Sequence, residues 1–196
     1  MKNDLFSIGP FTVHGYGLMI AIGVLSAYYM VEYRAKKKQM DWEKVFPLTV
    51  WSVLGGFLGS KILYLLTRLP DILANPALLG SSIKDGFVVY GGIIGGILTA
   101  WIYCKCTKWN FWKIFDIAMP AVAMAQGFGR IGCLLAGCCY GIELDPANPI
   151  GIVFHNSAYA PNDVALLPTQ IISSVLDFAN CFVLLALSKK LKTDGQ

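Results

Sequence analysis

VFPLTVWSVLGGFLGSKILYLLT, residues 45–67, carries a single charged side chain, Lys61, in an otherwise apolar run. At about 1.5 Å per residue, a helix of this length crosses the roughly 30 Å hydrocarbon core of a bilayer. Four comparable runs follow the same pattern, at about 11–33, 87–107, 113–137 and 168–190. The chain is 56% hydrophobic and 14% charged, with a mean hydropathy of +0.57. A soluble domain carries about 25% charged residues. The sequence therefore predicts an all-α, polytopic transmembrane bundle of about five spanning helices. Residues 1–196 read as a single integral membrane domain, with the outer loop at 138–167 as its longest connection.

Charge placement orients the bundle. Arg34, Lys36, Lys37, Lys38 and Lys44 lie between the first two runs. Lys105, Lys108 and Lys113 lie between the third and fourth, and Lys189, Lys190 and Lys192 follow the fifth. The opposite side offers Arg68 and Lys84, and 138–167 holds no lysine or arginine. The positive-inside rule then puts the N-terminus outside and the C-terminus in the cytoplasm. The net charge of +4 is dispersed over these clusters, so it predicts no nucleic-acid partner. Met1-Lys-Asn-Asp followed by an apolar run without a small-residue cleavage site reads as a permanent first helix rather than a signal peptide.

The polar residues of the spans gather at one depth. His14 and Tyr16 open the first helix, Lys61 and Tyr64 lie near the outer end of the second, and Asp85 and Tyr90 open the third. Thr169 and Gln170 start the fifth. Arg130 lies about seven residues, or ~10 Å, inside the outer end of the fourth. An arginine at membrane depth costs about 2.5–3.5 kcal/mol on insertion scales, so it usually faces a cavity. Gly127, Gly129 and Gly132 frame it and are expected to open space around the guanidinium. Lys61 has a simpler alternative, snorkelling to the interface. Two cations open to the outer leaflet suit an anionic guest, and arginine matches phosphate through its planar fork. The guest of that shape in a membrane is an anionic phospholipid. Asp177 is a candidate partner for Lys61 or Arg130.

Glycines four apart, in Gly55-Gly-Phe-Leu-Gly59 and Gly91-Gly-Ile-Ile-Gly95, let helix backbones approach closely. Gly91 and Gly92 also flank the polar group, where a ligand could approach backbone. Of six cysteines, Cys104, Cys106 and Cys181 read as small buried hydrophobes. Cys133, Cys138 and Cys139 form the remaining group. Adjacent cysteines bridge each other only with strain, and no histidine stands at ligand spacing beside them.

Several short elements resemble the bacterial prolipoprotein diacylglyceryl transferases. Phe6-Ser-Ile-Gly-Pro-Phe-Thr-Val-His14-Gly-Tyr16-Gly-Leu-Met19 is similar to that family's opening motif. Gly59-Ser-Lys61-Ile-Leu-Tyr64 resembles its Gly-small-Arg-Leu-x-Tyr element, with lysine for arginine. Asp85-Gly-Phe-Val-Val-Tyr90-Gly91-Gly92 resembles a Gly-Gly-x-x-x-His-Gly-Gly element. Asp116, Pro120 and Gly129-Arg130-Ile-Gly132 resemble the stretch around Gly-Arg-x-Gly-Asn. Pro149-Ile-Gly-Ile-Val-Phe154 and Pro168-Thr-Gln170 follow in order.

The resemblance implies a multi-pass protein of the bacterial cytoplasmic (inner) membrane that acts in lipoprotein biogenesis. The implied partners are phosphatidylglycerol, or a similar anionic phospholipid, and the lipobox peptide of a prolipoprotein. The lipobox thiol attacks the glycerol carbon bearing the phosphate, a thioether forms and glycerol phosphate leaves. By position, Arg130 stabilises the phosphate and Tyr90 stands where the family has histidine. A tyrosine of pKa about 10 is a poor base at neutral pH, whereas a free thiol of pKa about 8.5 is already a few per cent thiolate. The alternatives are therefore that no base is needed or that His14 or His155 serves. The expected site places Arg130, Tyr90 and His14 in catalysis. Tyr16, Lys61, Tyr64, Gly91, Gly92, Gly129, Cys133 and Gln170 line the substrates. No metal or cofactor is expected.

The departures are Tyr90, Cys133 in place of asparagine, and Gly137-Cys-Cys-Tyr-Gly141 in place of a polar Asn-Gly-Glu stretch. The family's two further helices, with another arginine, are not among these residues. Rival readings are a divergent member that transfers a lipid-derived group to a different acceptor or binds lipid without chemistry, a small anion transporter or channel, and a thiol or metal protein built on Cys133, Cys138 and Cys139.

Overall fold

The protein, seen in a computed structural model, is described for residues 4–8, 11–75, 80, 83, 86–190, 193 and 195, with side chains from residue 12 onward. Lys84, Asp85 and Lys192, with Gly9 and Pro10 of the opening motif, lie outside the described residues. Five long apolar helices carry the fold: α1 (Gly15–Lys37), α2 (Val45–Thr67), α4 (Val89–Thr107), α5 (Phe111–Ala136) and α6 (Thr169–Leu187). A short α3 (Leu69–Ala74) follows α2. Each long helix is apolar enough to cross a bilayer, and Phe57, Leu58, Ile94, Leu176 and Phe182 all point outward. Such a surface is untenable in water and ordinary in hydrocarbon. This is a multi-pass membrane protein.

The first span begins at Gly15 instead of residue 11, which corrects the sequence reading. Asp4–Ile8 (β1) and Phe11–His14 (β2) pair antiparallel, with Phe6 opposite Val13, Ser7 opposite Thr12 and Ile8 opposite Phe11. The β-branched Thr12 and Val13 suit a strand better than a helix start.

The chain forms two compact units, residues 35–114 and residues 1–34 with 115–196. In the first, α2 and α4 pack backbone to backbone. A Cβ on Gly59 would strike the Gly91 carbonyl, one on Gly91 the Gly59 carbonyl, and one on Gly95 the Gly55 carbonyl. The Ser60 hydroxyl donates to the Val88 carbonyl (2.8 Å), and the Val88 amide donates to the Ser60 carbonyl (3.2 Å), which fixes where α4 enters. Lys108 ends α4 in the left-handed region (φ 58°). The Asn110 side chain then accepts the Trp112 amide (3.0 Å) and caps α5.

In the second unit α1 lies on α5, where Gly23 meets the Ala125 carbonyl and Gly132 meets Tyr16 and Met19. α6 packs on α5 through Gly127 and Phe178, and the Phe128 and Phe178 rings meet edge to face at 5.2 Å. The buried Ser174 hydroxyl donates to the Gly127 carbonyl at 3.0 Å. Ser174→Ala is therefore expected to cost about 0.5–1.5 kcal/mol, read as a lowered thermal midpoint in detergent.

The loop predicted at 138–167 folds as a small structure of its own. Ile152–Val153 (β3) pairs antiparallel with Ala165–Leu166 (β4). Leu144 and Leu167 extend the ladder through Leu144 N to Ala165 O (2.8 Å) and Leu167 N to Ile142 O (2.9 Å). Phe154, Ala160 and Leu166 form its core, against Leu134 of α5. Packing against one helix holds in place a segment that sequence alone marks only as polar and turn-rich.

Candidate functional site

The last two turns of α5 and the start of α6 bring the candidate residues together in the second unit. α6 presents Gln170, Ser174 and Asp177 on one face, at the spacing of successive helical turns. Ser174 anchors that face to Gly127, and Arg130 follows Gly127 by one turn of α5. Arg130 is half-buried. Among the described residues it makes no hydrogen bond or ion pair.

The three flanking glycines do different work, which corrects the expectation that all of them open space. Gly129 has nothing within 4 Å of where a Cβ would sit. Gly127 is filled by the Phe178 ring and Gly132 by Tyr16 and Met19. Tyr16 is 42% exposed and lies within electrostatic reach of Arg130, Cys133, Cys138 and Cys139.

Two buried acceptors at this site lack donors among the described residues: Oε1 of Gln170 and Oδ2 of Asp177. Asp177 feels the Arg130 charge but forms no ion pair among the described residues. An unpaired buried polar atom costs about 1–3 kcal/mol, and in a native structure it calls for a reason.

Helix α5 ends in a Schellman motif. Gly137 takes φ +71°, the Cys138 amide donates to the Cys133 carbonyl (3.0 Å), and the Gly137 amide donates to the Leu134 carbonyl (3.1 Å). Cys139 continues in the left-handed region at φ 59°. This double reversal folds Cys138 and Cys139 back on Cys133. The start of α6 clamps the turn, since Gln170 Nε2 donates to the Cys138 carbonyl (2.8 Å) and the Thr169 hydroxyl to the Cys139 carbonyl (2.7 Å). Burial, with the neighbouring cysteines adding to it, pushes the Cys138 thiol up to about 12.

His14 ends β2, exposed and in register with Asp4. In the loop at 138–167, His155 Nδ1 lies 2.6 Å from Asp163 Oδ1, both side chains well exposed. Sequence reading had His155 alone; its partner, eight residues on, is set by the loop fold.

The remaining expected residues belong to the other unit. Lys61 Nζ donates to the Gly86 carbonyl at 3.0 Å and lies over the Phe87 ring at 4.4 Å and the Tyr64 ring at 5.4 Å. Gly86 holds φ +81°, and its missing Cβ leaves room for the Tyr64 ring. Gly91 and Gly92 both face α2 backbone or Ser60, so packing accounts for them. Tyr90 projects outward at the start of α4, 74% exposed.

A family model described as prolipoprotein diacylglyceryl transferase matches residues 3–196. The chain belongs to the prolipoprotein diacylglyceryl transferase family. A Clostridium tetani protein named phosphatidylglycerol–prolipoprotein diacylglyceryl transferase is 44% identical over 197 residues, covering 100% of this chain and 78% of that relative. A Clostridium perfringens protein, phosphatidylglycerol–prolipoprotein diacylglyceryl transferase 2, is 42% identical and is covered over 76% of its length. A Dehalococcoides mccartyi protein of the same name as the first is 31% identical, with 97% of this chain and 73% of the relative aligned. The resemblance read from the short motifs is thus a family relationship along the whole chain.

Proposed function

We propose that this protein moves a diacylglyceryl group from phosphatidylglycerol to the lipobox cysteine of a prolipoprotein at the outer face of the bacterial cytoplasmic membrane. The relatives' names supply the donor and the acceptor class. The observation in the molecule that supports the reading is Arg130: a half-buried cation beside open space at Gly129, with no hydrogen bond or ion pair to protein among the described residues. The positive-inside bias, with eleven lysines and arginines beside the loops and tail read as cytoplasmic, supports an outer-leaflet position for this end of α5.

Arg130 grips the phosphodiester through two parallel N–H donors. The Gln170 and Asp177 oxygens without donors suit the hydroxyls of the glycerol headgroup, which distinguishes phosphatidylglycerol from an anionic lipid lacking them. The acceptor thiol gives up its proton to water, its sulfur attacks the diacylglycerol carbon that bears the phosphate, the carbon–oxygen bond breaks, and that electron pair leaves on the oxygen of glycerol phosphate. Arg130 meets that growing charge, which is where a fixed cation lowers a barrier most. Tyr16 lies within electrostatic reach of the same arginine, while Lys61 and Tyr64 form a second polar group beside the Gly86 carbonyl.

Reconstituted protein given phosphatidylglycerol and a lipobox peptide is expected to yield a thioether-linked diacylglyceryl peptide, detected by mass spectrometry, and none from phosphatidylcholine. Absence of product across neutral and alkaline pH, with phosphatidylglycerol still bound, would instead identify a lipid-binding member without transfer. Filling the space at Gly129 separates pocket from scaffold. Gly129→Leu should leave the thermal midpoint within about 2 °C, since no neighbour is displaced and glycine in a helix is unfavourable by about 1 kcal/mol. It should raise the KM for lipid severalfold.

A further inference from the structure

We propose that Cys133, Cys138 and Cys139 form a trithiolate site for a thiophilic d10 cation of the Zn2+ class, whose open fourth position receives the acceptor thiol. The three sulfurs lie within 4.8 Å of one another, and all three cysteines are free of disulfides. Three sulfurs about 2.3 Å from one zinc ion stand about 3.8–4.0 Å apart. Closing on an ion therefore needs only small side-chain movements.

The backbone is already committed to this arrangement. The Schellman turn delivers Cys138 to Cys133, and the left-handed Cys139, costly for a residue with a Cβ, is held by Thr169. Clamping by Gln170 and Thr169 fixes both neighbouring carbonyls, so the turn is a rigid platform and not a loose loop. The exposure gradient is also suited to a reactive site, since Cys133 and Cys138 are half-buried and Cys139 is exposed.

Soft sulfur ligands select zinc-like cations over calcium and magnesium. Three protein ligands with an open position is the pattern of reactive zinc, whereas structural zinc is closed by four. Zinc with three thiolates keeps one residual negative charge. Arg130, three residues before Cys133 on the same helical face, offsets it.

The chemical role rests on the transferase reading; metal binding does not. A thiol on zinc is deprotonated outright. Its proton passes to water on coordination, the zinc-held sulfur forms the new carbon–sulfur bond, and the phosphate leaves with the electrons of the broken carbon–oxygen bond. Nothing is oxidised or reduced. Such a site supplies a thiolate without a general base.

The test begins without any activity readout. Reduced, detergent-purified full-length protein is titrated with Zn2+ while accessible thiols are counted, and Co2+ is substituted to read sulfur coordination from its visible and near-ultraviolet bands. One equivalent of metal protecting three thiols, lost in Cys133→Ser and in Cys138→Ser, is the expected result. Adding lipobox peptide should then shift the Co2+ spectrum, and a serine-for-cysteine peptide should not. Transfer should fall at least tenfold on chelation and return with Zn2+. Failure of the reduced protein to bind Zn2+ above the Cys133→Ser background overturns the site, as does a disulfide among the three that persists under reductant. Full-rate transfer by metal-free protein overturns the role and leaves the transferase reading intact. Tight zinc binding with no transfer, metal present or absent, overturns both the role and that reading.

Discussion

Arg130→Ala is expected to lower kcat/KM for diacylglyceryl transfer by about two to three orders of magnitude, the usual cost of losing one preorganised donor at a developing negative charge. The reasoning is local. The guanidinium is half-buried, makes no hydrogen bond or ion pair among the described residues and has open space at Gly129. No structural bond is broken by removing it, so the thermal midpoint should hardly move. Arg130→Lys keeps the charge but not the planar fork, and should recover only part of the rate. A loss confined to KM would mean that Arg130 holds the ground-state lipid alone; a loss in kcat places it against the leaving phosphate. Single-turnover measurements at saturating lipid separate the two.

The largest stability effect is expected at the α2–α4 contact. Gly59→Leu, or Gly91→Leu, puts a branched side chain where the facing helix presents its own carbonyl. Backbone cannot yield as a side-chain tip can, so the helices must separate. The expected loss is about 3 kcal/mol or more, at the upper end of overpacking costs. Gly96→Ala on the same helix is the control. Its Cβ would meet only the Ser52 carbonyl at 3.5 Å, an ordinary contact, and it should be neutral or mildly stabilising. Unfolding in detergent, followed by the fluorescence of Trp51 and Trp101, distinguishes the two outcomes.

Hydropathy over 45–67 locates α2 to the residue, because the change from Lys44 to an apolar run and back to Arg68 coincides with real helix ends. The same reasoning misses β1 and β2. Phe11, Thr12 and Val13 are apolar or β-branched and read as helix to a hydropathy window, while their pairing with Phe6–Ile8 depends on a partner strand that no window sees. Arg130 was legible because charge inside a span is rare and expensive. The differing fates of Gly127, Gly129 and Gly132 were not, since they depend on where Phe178 and Tyr16 arrive from other helices. The cysteines show the same limit. Spacing along the chain separates Cys133 from Cys138 and Cys139, and only the left-handed turn at Gly137 brings the sulfurs together.

Equilibrium binding of short-chain phosphatidylglycerol and phosphatidylcholine to the wild-type protein and to Arg130→Met reaches the central claim most directly. The wild type should prefer phosphatidylglycerol by at least about tenfold, or roughly 1.4 kcal/mol, and that preference should shrink in Arg130→Met at unchanged thermal stability, to what the Gln170 and Asp177 oxygens contribute. An undiminished preference in the variant would contradict it and place the headgroup contact elsewhere.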